Sequence, residues 1–346
     1  MPSSKSLVMR NFKYYIMFTL LLVAASWVVI PRYYQVSMLK NAGPLFDDAV
    51  KMTYQHHILE TQSDVILLGD STLLDSIDET YLTELLGTQS YKIGNPGSAS
   101  AIWYLILKNN IATSPVKPEQ LVIFSRASML TTPEYRTTGK YEESILEAAL
   151  PEDALVIDRA YLSQMNELEK VFDKYLPLYG YRARIRKSIE DFMKYHISGR
   201  VMDFDYKQVD ASFDDVFGDR ELVQLSDMIT ESETYLHNEK RLDFDTQLPN
   251  SFLPEIVRIC QENDIQLTFV YTQTIYTDQS EQTASMLADY RSDLFQYAAE
   301  NNIQVLDYLN DERVQESFFN DPVHMNEYGR QAFTEIFAAD FAEFLP

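Results

Sequence analysis

The chain has 346 residues, enough for one large domain or two modest ones. A hydrophobic share of 46%, with 23 Tyr and 19 Phe, excludes a disordered chain and implies a sizeable core. Lys and Arg number 29 against 52 Asp and Glu, and the formal net charge of -23 argues against a nucleic-acid partner. The single cysteine, Cys260, lies in the apolar pattern Ile256, Val257, Ile259 and reads as a small buried hydrophobe. It rules out an intramolecular disulfide and a cysteine-based metal site. Neither a metal nor a cofactor is called for, since no His pair or carboxylate cluster has ligand spacing. The neighbours His56 and His57 would diverge on a helix.

The first element is an apolar run from Tyr14 to Ile30, preceded by Lys5, Arg10 and Lys13. Its seventeen uncharged residues would reach about 25 Å as a helix, close to the thickness of a hydrocarbon core. Basic residues ahead of the run place the N-terminus inside and the body outside the cytoplasm, on the inner (cytoplasmic) membrane. Two readings fit: an uncleaved single-pass anchor, or a signal peptide cut near Ala24-Ala25-Ser26. The run continues through Trp27 to Ile30, past that point, which favours the anchor. Residues 1–30 therefore read as a tail and anchor, and residues 31–62 as a stem ending in a helix.

Short uninterrupted apolar runs follow at Asp64–Leu68, Tyr91–Ile93, Leu121–Phe124, Gln266–Tyr271 and Gln304–Leu306. Such runs suit strands buried on both faces. Helical patterns lie between them at Ile102–Ile111, Leu253–Asn263, Thr283–Asn301 and Glu327–Phe344. The alternation predicts an α/β fold with a parallel sheet over residues 63–133 and 246–346. Residues 134–245 break it and read as a mainly helical insertion or cap beside the sheet's ligand-binding edge, with helices at Ala160–Tyr175 and Tyr181–His196. Tyr179 and Tyr181 are candidates there for stacking on sugar rings, or for the core. The basic cluster Arg182, Arg184, Arg186 and Lys187 reads as a solvated helix face paired with acids.

Three stretches carry chemistry. Gly69-Asp70-Ser71 directly follows the first strand, where a serine would stand at the ligand-binding edge of the sheet. The same three residues could be a plain strand-to-helix turn. Asp321-Pro322-Val323-His324 precedes the last helix, and His324 is the one histidine of five with an Asp three residues before it. Serine needs a base, and a carboxylate orients that base. Gly94-Asn95-Pro96-Gly97-Ser98 follows the second strand, where a glycine lets a backbone N–H approach a substrate oxygen.

In that order, Gly69-Asp70-Ser71, Asn95-x-Gly97-Ser98 and Asp321-x-x-His324 resemble the SGNH/GDSL hydrolase superfamily. The resemblance implies a flavodoxin-like three-layer α/β sandwich. It implies Ser71 as nucleophile, His324 as base and Asp321 as its orienter. The N–H groups of Ser71 and Gly97 would be oxyanion donors, with Asp70 and Asn95 supporting them. One block departs: after the third strand the chain reads Phe124-Ser125-Arg126-Ala127-Ser128, without the family's Asn. Arg126, Ser125 or Ser128 would have to replace that donor, whose loss costs about 3 kcal/mol of transition-state stabilisation. The anchor and the variant block look like the envelope-polymer branch, similar to alginate O-acetylation proteins and the D-alanine transfer protein of teichoic acid synthesis. That likeness implies an acylated donor, a polysaccharide acceptor and a membrane-bound O-acyltransferase as partners. Three activities fit: transfer of an acyl group, acetyl foremost, to an envelope polysaccharide; its hydrolytic removal; or a non-catalytic role beside the acyltransferase.

Overall fold

A computed structural model describes residues 4–36, 39–46, 49–198, 226–275 and 280–345. They divide into two compact units, Phe46–Ala160 with Arg220–Pro346, and Met1–Leu45 with Tyr161–Asp219. The segment 134–245, expected as one insertion, is shared between them, and its residues 199–225 lie outside the described residues.

The first unit holds five strands: β1 (Val65–Gly69), β2 (Ser90–Gly94), β3 (Gln120–Ser125), β4 (Gln266–Tyr271) and β5 (Gln304–Asp307). They form one parallel sheet in the order β2-β1-β3-β4-β5, with Leu68 opposite Ile93 and Ile123. Each strand covers its apolar run to within two residues at either end. β1 and β3 are buried along their whole length, which is why they read as continuous apolar runs rather than alternating ones. Helices alternate with the strands, as expected for this class. The predicted helix at 102–111 starts at Ser100 and changes to π-helical winding at Leu107–Ile111.

Two features position the sheet's working edge. Gly69 ends β1 where the helix Ser71–Ser76 turns back on the strand. A Cβ there would lie 2.8 Å from Leu73 Cβ and 3.2 Å from Phe124 Cβ, so only glycine allows this close return. The last helix, Glu327–Phe341, is held to the sheet by Phe333, Phe337 and Phe341, all fully buried with Leu67, Val122 and Phe124. The Phe337 ring lies 5.3 Å from that of Phe124 and 5.2 Å from that of Phe341. At roughly 1.5–3 kcal/mol per buried ring, this seam fixes the height of the preceding loop along the sheet.

In the second unit the helix Ser4–Tyr34 contains the predicted apolar run and continues through Pro31 for three more residues. Its part Asn11–Tyr34 is long and apolar enough to cross a membrane. The predicted helix at 160–175 is interrupted: Asn166 caps a new helix, Glu167–Tyr175, in a reciprocal box with Glu169. The predicted helix at 181–196 runs as Arg182–Asp191 and then takes π-helical winding over Phe192–Ser198. Tyr181 is buried in this unit and Tyr179 carries the Arg182 guanidinium 4.2 Å from its ring centroid, so both are engaged in packing within the unit.

Candidate active site

Ser71 opens the helix after β1. Asp70 is that helix's N-cap: its carboxylate accepts from the N–H of Thr72 at 2.9 Å and from Thr72 Oγ1 at 2.6 Å. At this first helical position the N–H of Ser71 has no partner within the helix. Ser71 Oγ lies 2.8 Å from Nε2 of His324, across 253 residues of sequence.

His324 sits in a loop closed on itself. Asn320 N–H donates to the His324 carbonyl at 2.9 Å, Asn326 N–H to that of Phe318 at 2.7 Å, and Phe319 bridges Met325. Asp321 organises the interior of the loop. Its Oδ1 accepts the N–H groups of Val323 and His324, both at 2.9 Å, and its Oδ2 lies 2.8 Å from His324 Nδ1. One carboxylate thus shapes the turn and holds the ring with Nε2 toward Ser71. Burial raises the Asp321 carboxyl, but the bonds from the His324 ring and the two N–H groups outweigh it and hold the group below its usual value. Burial pushes the His324 imidazole down; the hydrogen bond and charge of Asp321, with the charges of Asp75 and Asp70, overcome this and raise it above its ordinary 6.5.

These residues line a cleft of about 460 Å³, together with Gly97, Arg126, Asp75, Arg136, Tyr141 and Glu233. Gly97 has φ +75°, and a Cβ there would lie 2.4 Å from Tyr141 Cε1, so glycine is required twice over. Asn95 does not line the cleft. Its Oδ1 accepts from Ser144 Oγ at 3.5 Å, and its place in the fold is held by its backbone, whose N–H donates to the Gly69 carbonyl at 3.0 Å.

The third block resolves into a buried charge chain. Arg126 Nη1 lies 2.6 Å from Asp70 Oδ2 and Nε lies 2.9 Å from Glu233 Oε1, with all three side chains at 5% exposure or less. Nη2 makes no hydrogen bond among the described residues. Burial raises the Asp70 carboxyl; the Arg126 charge and the bonds from Thr72 and Arg126 outweigh it and hold it low. The other substitutes considered for the missing Asn lie outside the cleft lining. Ser128 Oγ donates to the Leu236 carbonyl at 2.6 Å, and Ser125 Oγ is buried without a partner among the described residues.

Asp75, Arg136, Tyr141 and Glu233 are among the cleft residues that the sequence did not point to. Asp75 stands four residues after Ser71, so helical spacing places it on the same face; burial pushes its carboxyl up. Arg136, Tyr141 and Glu233 come from the segment that broke the strand-helix alternation, where no spacing ties them to Ser71. Among the described residues, no group of three or more His, Cys, Asp or Glu could hold a metal ion. Burial pushes the Cys260 thiol up to about 12, which leaves it inert.

No family model matches the chain, and no curated protein does either. Among solved structures it is similar to a GDSL-like lipase from Bacteroides thetaiotaomicron, at 10% identity and a TM-score of 0.39, over 85% of this chain and 99% of that one. It is similar to a member of the lipolytic G-D-S-L family from Veillonella parvula at 11% identity and a TM-score of 0.35, over 80% and 97%. An acetyl xylan esterase gives 14% identity and a TM-score of 0.34, over 80% and 98%.

Two measurements test this geometry. Replacing Arg126 by Met leaves Asp70 and Glu233 buried and unpaired, and should cost about 3–5 kcal/mol in denaturant unfolding. An unchanged midpoint would show that the charge chain does not stabilise the unit. In NMR of histidine labelled at Cε1, His324 should titrate above 6.5, and Asp321→Asn should bring it down by removing the main upward influence. A parent midpoint at or below 6.5 would contradict the described hydrogen bonding.

Proposed function

We propose that this chain is a serine-dependent acyl-transfer enzyme acting outside the cytoplasm, with a hydroxyl of a cell-envelope polysaccharide as acceptor. The observation that carries the acyl-transfer reading is the Ser71 Oγ to His324 Nε2 distance of 2.8 Å, with Asp321 on the opposite ring nitrogen.

In the first step Ser71 Oγ attacks the carbonyl carbon of the acyl donor and its proton passes to His324 Nε2. The oxyanion that forms takes hydrogen bonds from the N–H groups of Ser71 and Gly97, with Arg126 Nη2 in the place of the missing Asn donor. His324 then protonates the leaving group, giving acyl-Ser71. In the second step the acceptor hydroxyl gives its proton to His324 and attacks the acyl carbon; the bond from that carbon to Ser71 Oγ breaks and His324 returns the proton to Oγ. Asp321 stays ionised throughout and stabilises the imidazolium. Since His324 must be neutral to accept the proton, its raised pKa places the acid limb of activity above 6.5.

Hydrolysis differs only in that water replaces the sugar hydroxyl. The side chains of His324 and Asp321 are 17% and 27% exposed, so solvent reaches the acyl-enzyme, which favours hydrolysis wherever no acceptor is bound. The extracytoplasmic placement is supported by the helix Asn11–Tyr34 and by the basic residues Lys5, Arg10 and Lys13 on its N-terminal side.

Incubation with p-nitrophenyl acetate should add one acetyl group to the protein, seen by intact mass and mapped to Ser71. The adduct should be absent in Ser71→Ala and reduced at least a thousandfold in rate in His324→Ala. Acetylation of Ser71→Ala at the parent rate would remove the proposal. A reporter fused after Pro346 should be active only in a form that works outside the cytoplasm; a signal from a cytoplasmic reporter would overturn the placement.

A further inference from the structure

The helix Glu167–Tyr175 is built inside out. Leu168, Val171, Phe172 and Tyr175 recur at helical spacing on one face, and they are 61%, 48%, 41% and 45% exposed. The residue this helix buries is an acid, Asp173, at 4% exposure. A helix on a water-soluble unit does the reverse, turning its apolar stripe to the core and its charges to water. Asp173 is tolerated inside because it is fully partnered. Lys40 Nζ lies 2.5 Å from Oδ2, the Gly43 N–H donates to the same oxygen at 2.9 Å, and Arg182 Nη1 lies 3.1 Å from Oδ1. In the same unit Leu178, Ile189, Phe192 and Met193 are also more than 40% exposed.

The same unit holds the long apolar helix, and its packing sets the level of this face. Ser26, Ile30 and Tyr34 lie four residues apart on one side of that helix. The first two are buried, and the Tyr34 hydroxyl donates to Ser188 Oγ at 2.8 Å. The helical turn Pro177–Gly180 also packs on it. Ser26 and Ile30 belong to the uncharged run itself, so the covered side of the helix reaches into its last turns. On the reading that Asn11–Tyr34 crosses a bilayer, those turns lie at the level of the lipid headgroups and the first acyl carbons. Basic residues stand on the same helices: Arg182 and the exposed Arg186 and Lys187, in a chain whose net charge is -23. That placement suits a headgroup layer carrying anionic phosphates.

We infer that the apolar face of Glu167–Tyr175, together with the exposed apolar residues Leu178, Ile189, Phe192 and Met193, is a lipid-binding surface, seated in the outer leaflet of the membrane that the N-terminal helix spans. The protein is then held by one spanning helix and a collar of interfacial helices. The inference rests on the membrane reading of Asn11–Tyr34, and the test separates the two.

Single cysteines at Phe172 and at Ile189, in a Cys260→Ser background, carry nitroxide labels on the full-length protein in vesicles of phosphatidylcholine and phosphatidylglycerol. Leu20→Cys, in the apolar run, reports the spanning helix, and Leu85→Cys, 44% exposed on the other unit, is the aqueous reference. The ratio of collision with oxygen to collision with a water-soluble nickel chelate should be several-fold higher at positions 172 and 189 than at 85, and higher still at 20. A lipid-like ratio at 20 with an aqueous ratio at both 172 and 189 would overturn the lipid surface while leaving the spanning helix intact. An aqueous ratio at 20 would overturn both. Labels at 172 and 189 shielded from both reagents would show that face covered by a second copy of the chain, and would also overturn the inference.

Discussion

The buried chain Asp70–Arg126–Glu233 is the constraint on which the cleft depends. Three charges are taken out of water, at a desolvation cost that only close partners offset. Each partner comes from a different element. Asp70 caps the helix that begins with Ser71, Arg126 follows β3, and Glu233 belongs to the helical segment 226–236. Satisfying one guanidinium therefore fixes the end of β1, the end of β3 and the segment above them in one arrangement. The serine hydroxyl is placed by a cap, and the cap is placed by an arginine.

The other half of the site is built on the same economy of groups. Asp321 closes its own turn by accepting two backbone N–H groups and presents the remaining oxygen to the His324 ring. The phenylalanine seam of the last helix sets where that turn stands along the sheet. The two halves meet through the hydrogen bond between Ser71 and His324 and through the last helix, which shares a core with Leu73 of the helix that Ser71 opens. That bond joins two elements that are each braced by their own hydrogen bonds.

The second unit follows a different rule. There the helix Glu167–Tyr175 buries Asp173 in an ion pair with Lys40 and turns its large side chains outward. The difference is one of solvent. The parallel sheet is organised by exclusion of water, whereas the inverted helix Glu167–Tyr175 is organised for a surrounding that is itself apolar.

The sequence by itself determined the strands: β1 and β3, buried along their whole length, read as continuous apolar runs, and all five runs stand between helical patterns. It also determined the candidate Ser71, Gly97, Asp321 and His324, since each lies at the end of a strand or just before a helix, where local backbone chemistry alone signals a turn. The role of Arg126 was half legible: the departure from Asn was visible, but its partners were not. Asp70 is 56 residues away in sequence and Glu233 is 107. Asp75 was within reach of helical spacing from Ser71, while Arg136, Tyr141 and Glu233 had no periodic signal at all. The interruption at Asn166 and the outward turn of Leu168 to Tyr175 were hidden for a related reason. A helical stripe reads the same whether it faces a core or a bilayer, and only the buried Asp173 and its partners Lys40 and Arg182 decide which way it turns. Local pattern specifies elements and their ends; which ends meet, and which face is inside, is decided by where charges find partners in three dimensions.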